Sequence, residues 1–220
     1  MLRKLGCGAL KVVLIGSIAG VVSLQACADN IENATAQPKK GDQWTYDYTD
    51  LTTNTPAATT TYTVTEVANS EVTVSVSKLG APGSWLLVFD KDWNVKQDNL
   101  WKNLPGDGLG FQLPLKVGQA WPISGSNKNV QNGAVFRHQG KSRVVDETKI
   151  QTSAGEFDAF KIVSDLKWFA INGGGLKSDI HAETWFAPEI NRIVKRTYTS
   201  HLAGHVASSY TMELTDNSPN

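Results

Sequence analysis

Large apolar residues alternate with polar residues along most of the chain. The clearest runs are 44–49, 61–65, 72–77 and 85–89, in which an aromatic or aliphatic residue occupies every second position. A period of two that is rich in threonine, valine and aromatic side chains is typical of half-buried antiparallel strands. Beyond the N-terminal segment no window keeps an amphipathic helical pattern for three turns, and 97–104 is the best candidate for a short helix.

The second half of the chain continues the same pattern. Its candidate strands are 135–149, 157–165, 180–187, 193–201 and 207–215. The turns between them carry glycine, asparagine or proline, which favour the backbone conformations of tight turns. The pattern predicts a single all-β domain of about ten antiparallel strands in a meander, curved into an open or partly closed barrel. A two-sheet sandwich is the alternative.

Two short segments, 41–44 and 118–121, resemble each other. Both place a glycine three residues before a tryptophan at the start of a predicted strand. Glycine adopts a positive φ readily and can turn the chain inward, so that the tryptophan becomes the first large core residue. The repeated Gly-x-x-Trp predicts an internal duplication within one continuous sheet, although two matches this short also arise by chance.

The N-terminus has the form of an export signal. Three basic residues lie within 1–11, and an apolar run follows at 12–24. Thirteen helical residues span about 20 Å, which is too short for a hydrocarbon core of about 30 Å. A basic segment followed by a short apolar segment is the pattern of a secretory signal peptide, and we assign 1–26 to it.

The residues around Cys27 allow two cleavage sites. Leu24-Gln25-Ala26-Cys27 resembles the box at which bacterial lipoproteins are cleaved and acylated on cysteine, whereas Ala26-Cys27-Ala28 also fits ordinary signal peptidase. We predict acylation of Cys27, with cleavage after Ala28 as the alternative. Residues 27–40 then form the lipidated cysteine and a polar tether, 41–217 form the β-domain, and 218–220 form a tail.

Composition and charge exclude several classes of protein. Residues 1–26 hold three basic and no acidic residues, which leaves 18 basic and 21 acidic residues and a net charge near −3. No basic block supports nucleic-acid binding. The two cysteines are Cys7 and Cys27, so the β-domain has neither a disulfide framework nor a cysteine-ligated metal.

The region 92–118 interrupts the alternation. It combines glycine and proline with large apolar side chains, and long irregular segments inside compact domains are often functional. Its aromatic residues either close one end of the sheet or form a flap over a ligand groove. The ligand-binding candidates are Trp93, Trp101, Leu109 and Phe111.

Few residue patterns suggest catalysis. His181 and Glu183 share one face of a predicted strand near His201 and His205, and a metal site or an acid–base pair can be drawn from them. Histidine and glutamate on one strand face more often form a solvated polar face, which is the prediction here. The glycines of 106–110 lack the strand-to-helix context of a phosphate loop. We therefore predict a non-enzymatic protein with no cofactor and no metal. A hydrolase acting on envelope polymers is the alternative.

Three sets of residues together resemble a known family. They are the two Gly-x-x-Trp segments, the turn 153–161 and the hairpin 184–196 with its Trp-Phe-Ala-Pro. The family consists of uncharacterised bacterial exported proteins and lipoproteins, with no established activity. Asn191 stands where the family pattern has glycine, in a left-handed turn position that asparagine tolerates.

The hairpin 184–196 also carries three basic residues, Arg192, Lys195 and Arg196, which we expect to form a solvated edge. A contact with anionic lipid head groups or with a partner is the alternative. The resemblance to lipoproteins implies a cell-envelope location. Ala28 in the second mature position implies the periplasmic face of the outer membrane, with a soluble periplasmic or secreted protein as the alternative. The predicted partners are the membrane, through acyl chains, and either an envelope protein or an apolar ligand.

Overall fold

The computed structural model describes residues 36–104, 110–171 and 177–220. None of these residues belongs to a helix long and apolar enough to cross a membrane. The regular structure within them consists of twelve strands, which are β1 (Gln43–Asp50), β2 (Thr55–Ala68), β3 (Glu71–Lys78), β4 (Ser84–Asp90), β5 (Val95–Asp98), β6 (Trp101–Leu104), β7 (Ala120–Asn129), β8 (Val135–Thr152), β9 (Gly155–Ala170), β10 (Lys177–Ala187), β11 (Arg192–Leu202) and β12 (His205–Ser218).

The strands form a closed antiparallel barrel. Each strand pairs with its neighbours in sequence, and β1 completes the ring by pairing with β12 from Gln43↔Ser218 to Asp50↔Tyr210. The predicted all-β meander is confirmed, with twelve strands rather than about ten. Closure leaves none of the described strands with an open edge, and an open edge is a site for aggregation.

The two Gly-x-x-Trp segments fold alike. Gly41 and Gly118 have φ values of +97° and +86°. The Gly41 N–H donates to the Val64 carbonyl and the Gly118 N–H to the Val144 carbonyl, both at 2.9 Å. A shift in strand register follows Val64 in β2 and Val144 in β8. The two halves, β1–β6 and β7–β12, therefore begin with equivalent turns, as the duplication predicts.

The inward-facing side chains form two apolar clusters. The first includes Trp44, Tyr46, Val74, Val194 and Leu214. The second includes Phe111, Trp121, Ile162 and Phe186. Trp93 and Ile193 pack against both clusters, so the interior of the barrel is continuous.

The predicted helix at 97–104 is wrong. This segment forms the end of β5, a turn at Asn99–Leu100 and the strand β6, with Asp98 paired to Trp101 and Leu104 paired to Ser126 of β7. Closing the ring requires strands between β4 and β7, and the ladder hydrogen bonds outweigh the weak local preference for helix.

Two turn predictions are confirmed. Asn191 has a φ of +54°, in the left-handed region, and β10 ends at Ala187, immediately before Pro188.

The segment predicted as a tail is hydrogen-bonded to the start of the domain, because the Asn220 N–H donates to Asp42 Oδ1 at 2.9 Å.

Candidate functional site

An interior cavity of about 280 Å³ lies between the two apolar clusters. Strands from both ends of the chain contribute to it, because β1 and β12 are neighbours in the closed ring. Its apolar wall includes Trp44, Leu87, Phe89, Phe111, Phe186 and Met212. Walls of this kind bind apolar groups, and the few polar side chains among them orient a ligand.

Four tyrosines also line the cavity: Tyr46, Tyr48, Tyr62 and Tyr210. The Tyr46 hydroxyl donates to the Ile193 carbonyl at 2.8 Å, and the Tyr48 and Tyr62 hydroxyl oxygens lie 3.1 Å apart. Burial raises the pKa of Tyr62 to about 12 and raises the pKa values of Tyr46 and Tyr48 further. At neutral pH all three tyrosines are uncharged hydrogen-bonding groups.

Arg192 is a buried cation at the side of the cavity. Its side chain is 6% exposed, and its guanidinium carbon lies 4.0 Å from the Trp44 ring centroid and 5.0 Å from that of Trp93. Nη1 donates to the Asn191 carbonyl at 2.8 Å, and Nη2 lies 3.5 Å from Asp42 Oδ2. Arg192 is therefore held by two aromatic faces and one carboxylate, so it is a structural cation.

Arg196 is a second cation, and it also lines the cavity. In the strand register it lies between Thr184 of β10 and Met212 of β12, and its Nε donates to Thr184 Oγ1 at 3.1 Å. Within the part of the chain that the structure describes, Arg196 forms no ion pair. The cavity thus combines an apolar wall with one half-buried, uncompensated positive charge.

The predicted solvated edge is wrong for two of its three residues. Lys195 pairs with Glu213 at 3.7 Å, whereas Arg192 is buried and Arg196 lines the cavity. Strand alternation explains Arg196, because Arg196 is two residues from the buried Val194 and pairs with the buried Thr184. Arg192 lies beyond a register shift at Val194, so the alternation does not extend to it. The alternation along β11 therefore predicts that Arg196 faces the interior, whereas its charge alone predicts an exposed position.

Two of the predicted ligand-binding residues border the cavity. Trp93 adopts a φ of +60°, and its Nε1 donates to Asn191 Oδ1 at 2.7 Å. Phe111 is 8% exposed, and its ring centroid lies 4.3 Å from that of Phe186. These contacts favour the first of the two predicted roles of the region, in which its aromatic residues close one end of the barrel.

The other two predicted residues have different outcomes. Trp101 is half-buried on β6, with its ring 5.5 Å from Phe136 and outside the cavity lining. Leu109 lies outside the described residues, as does Cys27. The prediction grouped the four residues because they share one irregular segment, but Trp101 belongs to β6, which pairs with β5 and β7.

Gly110 fixes the position of Phe111. A Cβ atom at Gly110 would lie 2.2 Å from the Asp92 carbonyl oxygen, so no other residue fits there without a shift of the backbone. The Gly110 N–H donates to Asn94 Oδ1 at 2.7 Å, and the Phe111 N–H donates to the Asp92 carbonyl at 2.8 Å. The segment that carries Phe111 is therefore held against the turn that carries Trp93.

The histidine candidates lie apart from the cavity. His181 Nδ1 is 2.8 Å from Asp165 Oδ1, where both side chains are exposed, and Glu183 pairs with Lys161 at 2.9 Å. Among the described side chains, no group of three or more histidine, cysteine, aspartate or glutamate residues is arranged to hold a metal ion. His181 and Glu183 thus have separate polar partners.

Solved structures with the same architecture come from three bacteria. A candidate lipoprotein from Parabacteroides distasonis aligns with a TM-score of 0.52 at 13% identity, over 84% of this chain and 98% of that one. A candidate exported protein with a YmcC-like fold, from Bacteroides fragilis, aligns with a TM-score of 0.55 at 13% identity, over 83% and 98%. The hypothetical lipoprotein YmcC from Escherichia coli gives 0.50 at 8% identity, over 87% and 92%.

At these identities the similarity shows the fold alone. No protein-family model matches the chain, and no curated protein matches it. The chain therefore has the YmcC-like fold, which it shares with uncharacterised exported proteins and lipoproteins, as the motifs in its sequence implied.

Proposed function

We propose that this chain is a non-enzymatic lipoprotein of the bacterial cell envelope whose barrel binds one small apolar or amphipathic ligand. The observation that carries the proposal is the aromatic cavity of about 280 Å³ inside the closed barrel. An interior site favours a small ligand over a protein partner, because a partner protein would dock on an outer surface.

The size of the cavity limits the ligand. At about 30 Å³ for each water-sized group, a cavity of about 280 Å³ holds roughly nine such groups. This is close to the lower limit of the usual range for ligand sites, about 300 Å³. An alkyl chain of about eight carbons or one aromatic ring system fits this space, and a complete phospholipid does not.

The attachment to the membrane is proposed to run through an acylated Cys27. Eight residues separate Cys27 from Ala36, whose carbonyl accepts a hydrogen bond from Asn191 Nδ2 at 2.9 Å. Nine residue steps span at most about 30 Å, the limit for a fully extended chain. The Asn191 end of the barrel would then lie close to the lipid surface. We propose that this surface belongs to the outer membrane, because Ala28 follows the acylated cysteine and resembles the second residue of outer-membrane lipoproteins.

Calorimetric titration of the purified barrel with octanol tests the ligand site. Leu87 faces the cavity, whereas its neighbour Leu86 is 54% exposed. We expect Leu87→Trp to fill the cavity and abolish binding, and we expect the matched variant Leu86→Trp to bind like the wild type. Wild-type protein that binds no octanol, or Leu87→Trp protein that binds it normally, would contradict the proposal.

Two further measurements test the remaining parts of the proposal. Intact-mass analysis should show diacylglycerol on a mature chain that begins at Cys27, whereas a chain that begins at Asp29 would rule acylation out. A panel of fluorogenic esters, glycosides and peptides should show no turnover. Turnover that a single polar-to-alanine substitution abolishes would establish the hydrolase alternative instead.

A further inference from the structure

We infer that the cavity selects a negatively charged amphiphile, with a carboxylate or phosphate head on Arg196 and a short apolar tail against the aromatic wall. This inference rests on the proposed ligand site and specifies the chemistry of its ligand. Two arginines, Arg192 and Arg196, face the interior of the barrel.

The two interior arginines differ in whether a carboxylate lies nearby to balance their positive charge. Arg192 has Asp42 at 3.5 Å, whereas no carboxylate of the described residues lies within 4 Å of Arg196. The side chains that line the cavity from the neighbouring strands are neutral, including Tyr48 of β1 and Met212 of β12. A cation withdrawn from water without a counter-ion is unfavourable, and a bound anion would remove that cost.

The guanidinium of Arg196 has N–H donors that no other described residue uses. Its Nε is used by Thr184 Oγ1 at 3.1 Å, and neither Nη group hydrogen-bonds to another described residue. Two free Nη groups on a planar guanidinium can donate to one carboxylate or phosphate, which is the geometry that makes such pairs strong. The contact with Thr184 holds the guanidinium on the inner face of the barrel.

Tyrosine hydroxyls lie on the wall of the same cavity. The Tyr210 hydroxyl makes no hydrogen bond with another described residue, and its ring stacks on Tyr198 at a centroid distance of 5.0 Å. Attraction to Arg196 favours ionisation of Tyr46, Tyr48 and Tyr62, but their burial outweighs it, so they remain neutral. Neutral hydroxyls can donate to an anionic head and do not repel it.

The apolar residues define where the tail would lie. Trp44, Phe111 and Phe186 are buried, whereas Arg196 and Tyr210 are half-buried. The cavity therefore has a buried apolar part and a more exposed polar part, which matches a ligand with a charged head and a tail of about eight carbons. Octanoate and octyl phosphate are probes of this class.

The test compares four probes that share an eight-carbon tail: octanoate, octyl phosphate, octanol and octylammonium. Binding is measured by calorimetry at neutral pH. For wild-type protein we expect both anions to bind at least about tenfold more tightly than octanol, and octylammonium to bind more weakly than octanol. The relative affinities of octanoate and octyl phosphate then distinguish a fatty-acid source from a phosphate head group.

Arg196→Gln should weaken the binding of both anions at least about tenfold and so remove the preference for anions over octanol. Lys195→Gln is the matched control, because Lys195 is the next residue on β11 and pairs with Glu213 instead of facing the cavity. We expect Lys195→Gln to keep the preference for anions. Arg196→Lys keeps the charge without the planar guanidinium, and we expect it to retain part of the preference for anions. This variant replaces Arg196→Gln in the test if the Arg196→Gln protein is poorly folded.

The outcomes separate the two proposals. Octanol that binds as tightly as octanoate, or an anion preference that survives Arg196→Gln, would overturn the assignment of Arg196 while leaving the ligand cavity in place. Failure of all four probes to bind the folded wild-type protein would overturn the ligand cavity itself.

Discussion

Replacing Phe111 with alanine removes the aromatic ring that closes the barrel beside the cavity. The ring is 8% exposed and packs on Phe186 at a centroid distance of 4.3 Å with an interplanar angle of 40°. Truncation of a buried phenylalanine costs about 3–5 kcal/mol. The new void adjoins an existing cavity, so fewer packing contacts are lost, and we expect about 3 kcal/mol. For a domain of this size that corresponds to a decrease in Tm of roughly 6–12 °C.

Trp101→Ala provides the comparison, because Trp101 is half-buried on β6 and does not line the cavity. We expect it to cost about 1–2 kcal/mol and to leave octanol binding unchanged. Thermal and urea unfolding, followed by circular dichroism, measure both stabilities. If Phe111→Ala cost less than about 1 kcal/mol and still weakened octanol binding, Phe111 would belong to a mobile flap, and the reasoning from core packing would be refuted.

Three further predictions concern the tyrosines, Gly110 and Asn191. The folded-state pKa values of Tyr46, Tyr48 and Tyr62 lie above the unfolded value of about 10, so the stability that they contribute is complete below pH 10 and is lost as pH rises towards the folded values. Each of the three tyrosines should lower the unfolding free energy by about 1.4 kcal/mol per pH unit between its unfolded and folded pKa values. Urea titrations at several pH values give the slope of unfolding free energy against pH, and Tyr48→Phe should make this slope smaller. A slope equal to that of the wild type would contradict the expectation. Gly110→Ala should cost more than about 2 kcal/mol because of the 2.2 Å approach to the Asp92 carbonyl, whereas Gly80→Ala, with open space around it and a φ of +76°, should cost about 1 kcal/mol in thermal unfolding; equal costs would refute the steric argument. Asn191→Gly keeps the left-handed turn and loses the hydrogen bonds to Trp93 and Ala36, so it should lower the unfolding free energy by about 1–3 kcal/mol. Asn191→Ala should lower it by about 1 kcal/mol more, because alanine disfavours the left-handed conformation. The reverse order in thermal unfolding would show that the turn conformation is unimportant.

The sequence was most informative where local chemistry determines local structure. Alternation placed the long strands, and turn residues placed the hairpins, because side-chain period and backbone preference act within a few residues. Gly41 and Gly118 predicted two equivalent turns, and the structure shows the same hydrogen bond from each. The short strands β5 and β6 could not be predicted in this way, because pairing with β4 and β7 stabilises them.

The candidate site was only partly predictable for the same reason. Trp93 and Phe111 were identified as large apolar residues in an irregular segment, and they do border the cavity. The tyrosines and Arg196 were not identified as ligand-binding residues, because only the closed ring brings β1, β10, β11 and β12 around one space. Arg196 could have been found by extending the strand phase from Val194, without regard to its charge.

The pairing of β1 with β12 has a consequence for how the chain reaches this structure. Gln43 and Ser218 are paired although 174 residues lie between them in the sequence. Contacts this distant form late, because the entropy of closing so long a loop must be overcome before the contact gives any stability. A chain is synthesised from its N-terminus, and under the proposed export it also crosses the membrane in that direction, so β1 is among the first strands to emerge. One side of β1 stays unpaired until the last residues have followed, and an unpaired edge can bind other unfolded chains. The terminal hydrogen bond from Asn220 to Asp42 forms only at that stage, so the fraction of chains that aggregate before the ring closes should depend on how quickly the C-terminal strand arrives.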